Sequence, residues 1–177
     1  MDDTAAVRNK VCFGSVAGAA RDVLVLGLGN TLLGDDGVGV HVVRHLANAP
    51  DTPPGLRPLD GGTLGFRLLA ALMDSDAVIV VDAARLGDPA GTICLLDQLT
   101  LADHVGRGGR MSAHEAGLVD LLTLARIAGW APTHLALVGI EPQRIDWGPW
   151  LSPPVVQSFP DACRTVVRTA LAWQAEP

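Results

Sequence analysis

The sequence predicts an α/β chain, a three-layer sandwich in which a doubly wound, mainly parallel twisted sheet carries helices on both faces. Three observations lead there. Apolar β-branched runs such as Val78-Ile79-Val80-Val81 are continuous rather than alternating, as in strands covered on both faces. Stretches with helical 3–4 spacing fall between these runs, the order of βαβ units. The 177 residues are 49% hydrophobic, with mean hydropathy +0.31. That suffices for a sizeable core and argues against a disordered chain.

The elements follow in order. Residues 1–21, Ala/Gly-rich and of mixed polarity, read as a flexible N-terminal extension, and 22–177 as a single domain. Val23–Leu28 is the first strand, followed by the turn Gly29-Asn30 and a helix from Asp36 to Leu46. Leu56–Leu59 is a short second strand closed by Asp60-Gly61-Gly62-Thr63, and Leu64–Met73 an apolar helix. Ala77–Val81 is a buried strand ending at Asp82, and Gly91–Leu96 another strand. Residues 103–111 form a Gly-rich loop expected to be mobile. Ser112 and Glu115 have capping-box spacing ahead of the helix Leu118, Leu121, Leu122, Ala125, which stops at Gly129. Leu135–Ile140 is the last strand. Residues 154–173 form a closing helix that Pro160 is expected to interrupt or restart.

Composition narrows the function. Nineteen acidic against 13 basic residues give a net charge of −6, so nothing is available to displace counterions from a nucleic acid. Cys12, Cys94 and Cys163 are odd in number and lie in apolar stretches, which reads as reduced thiols in a cytoplasmic protein. A signal peptide and a membrane helix are not expected.

The carboxylates carry the chemistry. Sites in open α/β sheets lie outside the carboxyl ends of the strands. There the sequence places Asp36, Asp60, Asp82 and Glu141, one acid after each of four strands. His114 joins them at a helix start, where the helix dipole should keep it neutral and able to ligate a metal. Carboxylates with imidazole suit a borderline cation such as nickel, zinc, cobalt or iron. Simpler roles compete. Asp35 reads as the helix cap, leaving Asp36 for function. Asp60 is balanced between the site and an Asx-turn, and Glu141 leans to a structural or solvent role. His41 and His45, four residues apart, lack the Glu of a metallopeptidase helix and read as surface residues. The four tryptophans (130, 147, 150 and 173) read as core or loop anchors, with binding the lesser alternative for Trp147 and Trp150. A dinucleotide cradle fails, because Leu32 stands where the third glycine belongs and Asp35 and Asp36 would repel a pyrophosphate. No G-x-S-x-G and no activated cysteine supports a nucleophilic hydrolase.

GLGNTLLGDDGVGV (27–40), LDGGTLG (59–65), VIVVDA (78–83), SAHEAGL (112–118) and LVGIEP (137–142) together resemble the [NiFe]-hydrogenase maturation endopeptidases, in order and spacing, over roughly residues 23–170. The resemblance implies removal of a C-terminal extension from the hydrogenase large-subunit precursor after nickel insertion. It implies a metal-contacting trio of Asp36, Asp82 and His114, with Asp36 and Asp82 the candidate catalytic carboxylates and Asn30, Asp60 and Glu141 in support. It implies no permanently bound cofactor, since the nickel is carried by the substrate, although other divalent cations could occupy the site. The expected protein is a cytoplasmic monomer whose partner is the precursor, with no nucleic acid and no membrane. Position 36 is often Glu in the family, and Asp is shorter by one methylene. Two other readings are carried: a nickel-binding maturation chaperone without peptidase activity, and a peptidyl-tRNA hydrolase-like esterase, which would share only GLGN.

Overall fold

A computed structural model of the chain describes residues 22–63, 67–97 and 114–176. Its strands are β1 (Val23–Leu28), β2 (Leu56–Gly62), β3 (Ala77–Ala83), β4 (Ile93–Asp97) and β5 (His134–Ile140). Its helices are α1 (Val38–Asn48), α2 (Arg67–Met73), α3 (Glu115–Ile127) and α4 (Pro153–Gln174). The strands form one sheet in the order β2-β1-β3-β5-β4. All pairs are parallel except β4, which runs antiparallel to β5 at the edge. The mainly parallel sheet with covered faces is therefore as expected.

The period of two along each strand sorts its side chains onto the two faces. Val23, Val25, Ile79 and Val81 pack under α1 and α4, against Val38, Val42, Val155 and Val166. Leu24, Leu26, Val78 and Val80 pack under α2 and α3, against Leu68, Leu72, Leu118 and Leu122. β1 and β3 are buried along their whole length, which is why they read as continuous apolar runs. β2, an edge strand, tolerates Pro58.

Helix α1 lies close on the sheet because glycines meet at the contact. A Cβ on Gly39 would collide with the carbonyl oxygen of Val81, and one on Gly27 with that of Gly39. Gly29 has φ +129°, and a side chain there would strike the carbonyl of Asp36. The turn after β1 thus needs glycine both for its conformation and for its approach to the acidic segment.

Several boundaries differ from expectation. Asp36 lies in a 3₁₀ turn, Gly34–Gly37, and α1 begins only at Val38. Asp60-Gly61-Gly62, expected to close the second strand, is part of it. Pro160 lies inside an unbroken α4, whose buried stripe of Val155, Ala162, Cys163, Val166 and Ala170 holds the helix together across it. Cys94 and Cys163 are free thiols, and burial pushes Cys163 up to about 11. Residues 1–21 with Cys12, Leu64, the loop 103–111 and Ser112 of the capping box lie outside the described residues.

Candidate active site

The chain leaves β1 for β2 on one side and returns to β3 on the other, so a crevice opens beyond the carboxyl ends of β1 and β3. Three of the side chains singled out in the sequence lie at its edge, on separate segments. Asp36 comes from the 3₁₀ turn after β1. Asp82 stands near the end of β3, on the face that carries α2 and α3. His114 immediately precedes α3. All are buried: Asp36 is 3% exposed, Asp82 2% and His114 8%.

The imidazole spans the two carboxylates. Its Nδ1 lies 3.2 Å from Asp82 Oδ1, and its Nε2 lies 3.6 Å from Asp36 Oδ2. The backbone N–H of Asn30 donates to Asp36 Oδ2 at 2.8 Å. Asn30 in turn accepts the N–H of Leu32 on its side-chain oxygen at 3.0 Å, so it shapes the loop and fixes Asp36 at once. The expectation for His114 rested on the helix terminus alone, and the fold adds two carboxylates beside the ring. Its hydrogen bond to Asp82 raises its pKa from 6.5, and the charges of Asp82 and Asp36 raise it further, against the opposing effect of burial. Two carboxylates and one imidazole taken out of water form an arrangement that favours a cation.

Among the described residues, no group of three His, Cys, Asp or Glu side chains stands ready to hold a metal ion. The reason is geometric: one ring offers a different nitrogen to each carboxylate. The atoms Nε2 and Asp36 Oδ2 can nevertheless reach a common ion, since two ligands at about 2.0–2.2 Å from a metal are separated by about 3–3.6 Å. Asp82 then stands behind the ring on Nδ1, as carboxylates behind metal-bound histidines do.

Asp60 and Glu141 do not join this group. Asp60 pairs with Arg44 of α1 at 2.8 Å and accepts the N–H of Gly62 at 3.0 Å, which is the Asx-turn alternative. Glu141 is buried and accepts the N–H of Leu86 at 2.5 Å and of Asp88 at 3.3 Å, securing the segment after β3. Asp35, expected to cap α1, caps nothing. It is fully buried, and its carboxylate accepts the N–H groups of Gln143 (2.9 Å), Arg144 (3.1 Å) and Ser152 (2.6 Å) and the hydroxyl of Ser152 (2.7 Å). It ties the loop between β5 and α4 to the segment that carries Asp36. The sequence signal for this was the doublet itself, since two adjacent acids at one turn cannot both cap it. His41 is half-buried rather than on the surface, and burial followed by the nearby charge of Arg44 lowers its pKa.

The family model for hydrogenase maturation proteases of the HycI type matches residues 40–169. The chain belongs to that family. It is 36% identical over 155 residues to the hydrogenase expression/formation protein HupD of Rhodobacter capsulatus, covering 87% of this chain and 73% of that one. It is 33% identical over 147 residues to the hydrogenase 2 maturation protease of Escherichia coli, covering 82% and 88%. Among solved structures, the hydrogenase maturating endopeptidase HybD of E. coli aligns with TM-score 0.76 at 32% identity, covering 85% of this chain and 93% of that one. The HybD maturation protease of Thermococcus kodakarensis aligns at 0.73 and 27%, covering 84% and 99%. Membership makes the chain a peptide hydrolase of hydrogenase maturation. No helix among the described residues is long and apolar enough to cross a membrane.

Proposed function

We propose that this maturation protease removes the C-terminal extension of a nickel-loaded [NiFe]-hydrogenase large-subunit precursor and recognises the precursor by its nickel. The observation that carries the reading is the buried convergence of two carboxylates on the two nitrogens of one imidazole. In this reading Nε2 of His114 and the carboxylate of Asp36 contact the substrate's nickel, and Asp82 orients the ring through Nδ1. A water adds to the scissile carbonyl, a carboxylate of the pair takes its proton, and the proton passes to the departing amine as the C–N bond breaks. The nickel belongs to the substrate, and the protease needs no metal of its own. The reaction takes place in the cytoplasm and requires a single copy of the chain.

The test is mass analysis of the precursor's C-terminus after incubation with the enzyme. Wild type should shorten nickel-loaded precursor and spare the nickel-free form, whereas His114→Ala should spare both. Equal cleavage of the nickel-free form would remove nickel as the recognition element. Normal cleavage by His114→Ala would remove the trio.

A further inference from the structure

We propose that the loop between β5 and α4, residues 143–152, is the arm that holds an apolar segment of the precursor polypeptide beside the cleft, with Trp147 and Trp150 as its anchors. The inference rests on the peptidase reading above. These two indoles are 83% and 75% exposed. The other tryptophans are packed: Trp130 is buried with its N–H donated to the carbonyl of Ser75 at 2.8 Å, and Trp173 stacks on His134. A single exposed apolar residue needs no explanation, but two exposed indoles on one short loop form a patch.

The loop is not a loose tip. The N–H of Gly34 donates to the carbonyl of Gly148 at 2.7 Å, and the N–H of Gly148 to the carbonyl of Leu32 at 3.0 Å. Asp35 grips its two ends, at Gln143 and Arg144 and again at Ser152. Both tryptophans are thus presented on backbone fixed to the segment that carries Asp36. Leu32, four residues from Asp36 and bonded through its carbonyl to Gly148, is also 55% exposed. Aromatic anchors on a preordered backbone lose little entropy on binding, which is why tryptophan is enriched at the centres of interfaces.

Position and charge choose the occupant. The loop is bonded to the segment that carries Asp36, beside the crevice where a peptide hydrolase would lay its substrate chain. Arg144 and Asp146, the charged residues of the loop, face each other at 3.7 Å and cancel. The whole chain carries −6. A nucleic acid or an anionic lipid surface finds in this loop only Arg144, already facing Asp146. An uncharged, apolar stretch of polypeptide fits.

The experiment measures binding of nickel-loaded large-subunit precursor to Asp82→Asn, which should hold the precursor without processing it. The same measurement is made with W147A/W150A added, and with Ile127→Ala added as a control, Ile127 being 78% exposed on α3. The tryptophan changes should weaken binding by about tenfold or more, with an unchanged thermal midpoint, and Ile127→Ala should not. Equal binding with and without the tryptophans, equal loss with Ile127→Ala, or no binding at all overturns the inference. So does sedimentation showing that the tryptophans hold two copies of this chain together. Tryptophan-dependent binding without cleavage by the wild type would uphold the docking arm while removing the peptidase reading of the site.

Discussion

Asp35 and Asp36 are adjacent, chemically identical and both buried, yet their surroundings differ in kind. The carboxylate of Asp35 accepts three backbone N–H groups and a hydroxyl, all from residues 143–152. That of Asp36 accepts one backbone N–H and faces an imidazole across 3.6 Å. A saturated carboxylate is a structural joint with nothing left to give a ligand. An undersaturated one keeps coordinating capacity, and its burial makes that capacity costly to leave unused. Burial alone therefore does not separate a functional acid from a structural one; the count and origin of its donors do.

The contrast can be broken most directly at Asp35. Replacing it with Ala leaves buried donors without acceptors, and unfolding in urea should show a loss of about 3–5 kcal/mol. A stability within about 0.5 kcal/mol of wild type would mean that the joint is not one. Asp36→Asn should do the opposite: processing should fall about a hundredfold or more while the thermal midpoint holds within a few degrees. If the Asp36→Asn enzyme keeps its rate, the function lies elsewhere in the crevice.

Gly39→Ala probes what aims both acids. Its Cβ would meet the carbonyls of Val81 and Leu28, so α1 must shift, at about 1–3 kcal/mol in chemical denaturation. No measurable change would show that the close approach of α1 is not needed.

The gentlest test is titration. His114 binds its proton more tightly folded than unfolded, so its stabilisation is present below 6.5 and fades as pH rises through its elevated folded value. His41 has a lowered value, so its contribution is present above 6.5 and fades as pH falls. Nuclear magnetic resonance titration of the two rings should place His114 above His41. The reverse order would mean that the carboxylates do not govern the crevice.

Much of this was legible because it is encoded locally. The runs at Val23–Leu28 and Ala77–Val81 could only be buried strands, and the doubly wound order follows from their alternation with helices. Asp36, Asp82 and His114 lie in short motifs at element ends, where position along the chain nearly dictates position in space. What was not legible depends on partners distant in sequence. Asp35 finds its donors more than a hundred residues away, and Glu141 secures a loop 53 to 55 residues before it. The antiparallel direction of β4 has no signature in its own residues, since an edge strand reads alike either way. Pro160 misled because a local penalty of about 3 kcal/mol is outweighed by the buried stripe around it. For His114 the sequence offered only the helix terminus, and the carboxylates beside the ring are brought there by the fold.

The bonds from Asp35 to Ser152 also set a timetable. A chain emerging from the ribosome makes β1, α1 and β3 early, and Asp36 and Asp82 are then already translated. The segment Gly34–Gly37 lacks its full set of bonds until Ser152 has emerged, because only then does the carboxylate of Asp35 find the last of its donors. Contacts of such long range close late in folding. The segment that carries Asp36 is therefore completed only after residues 143–152 have been made.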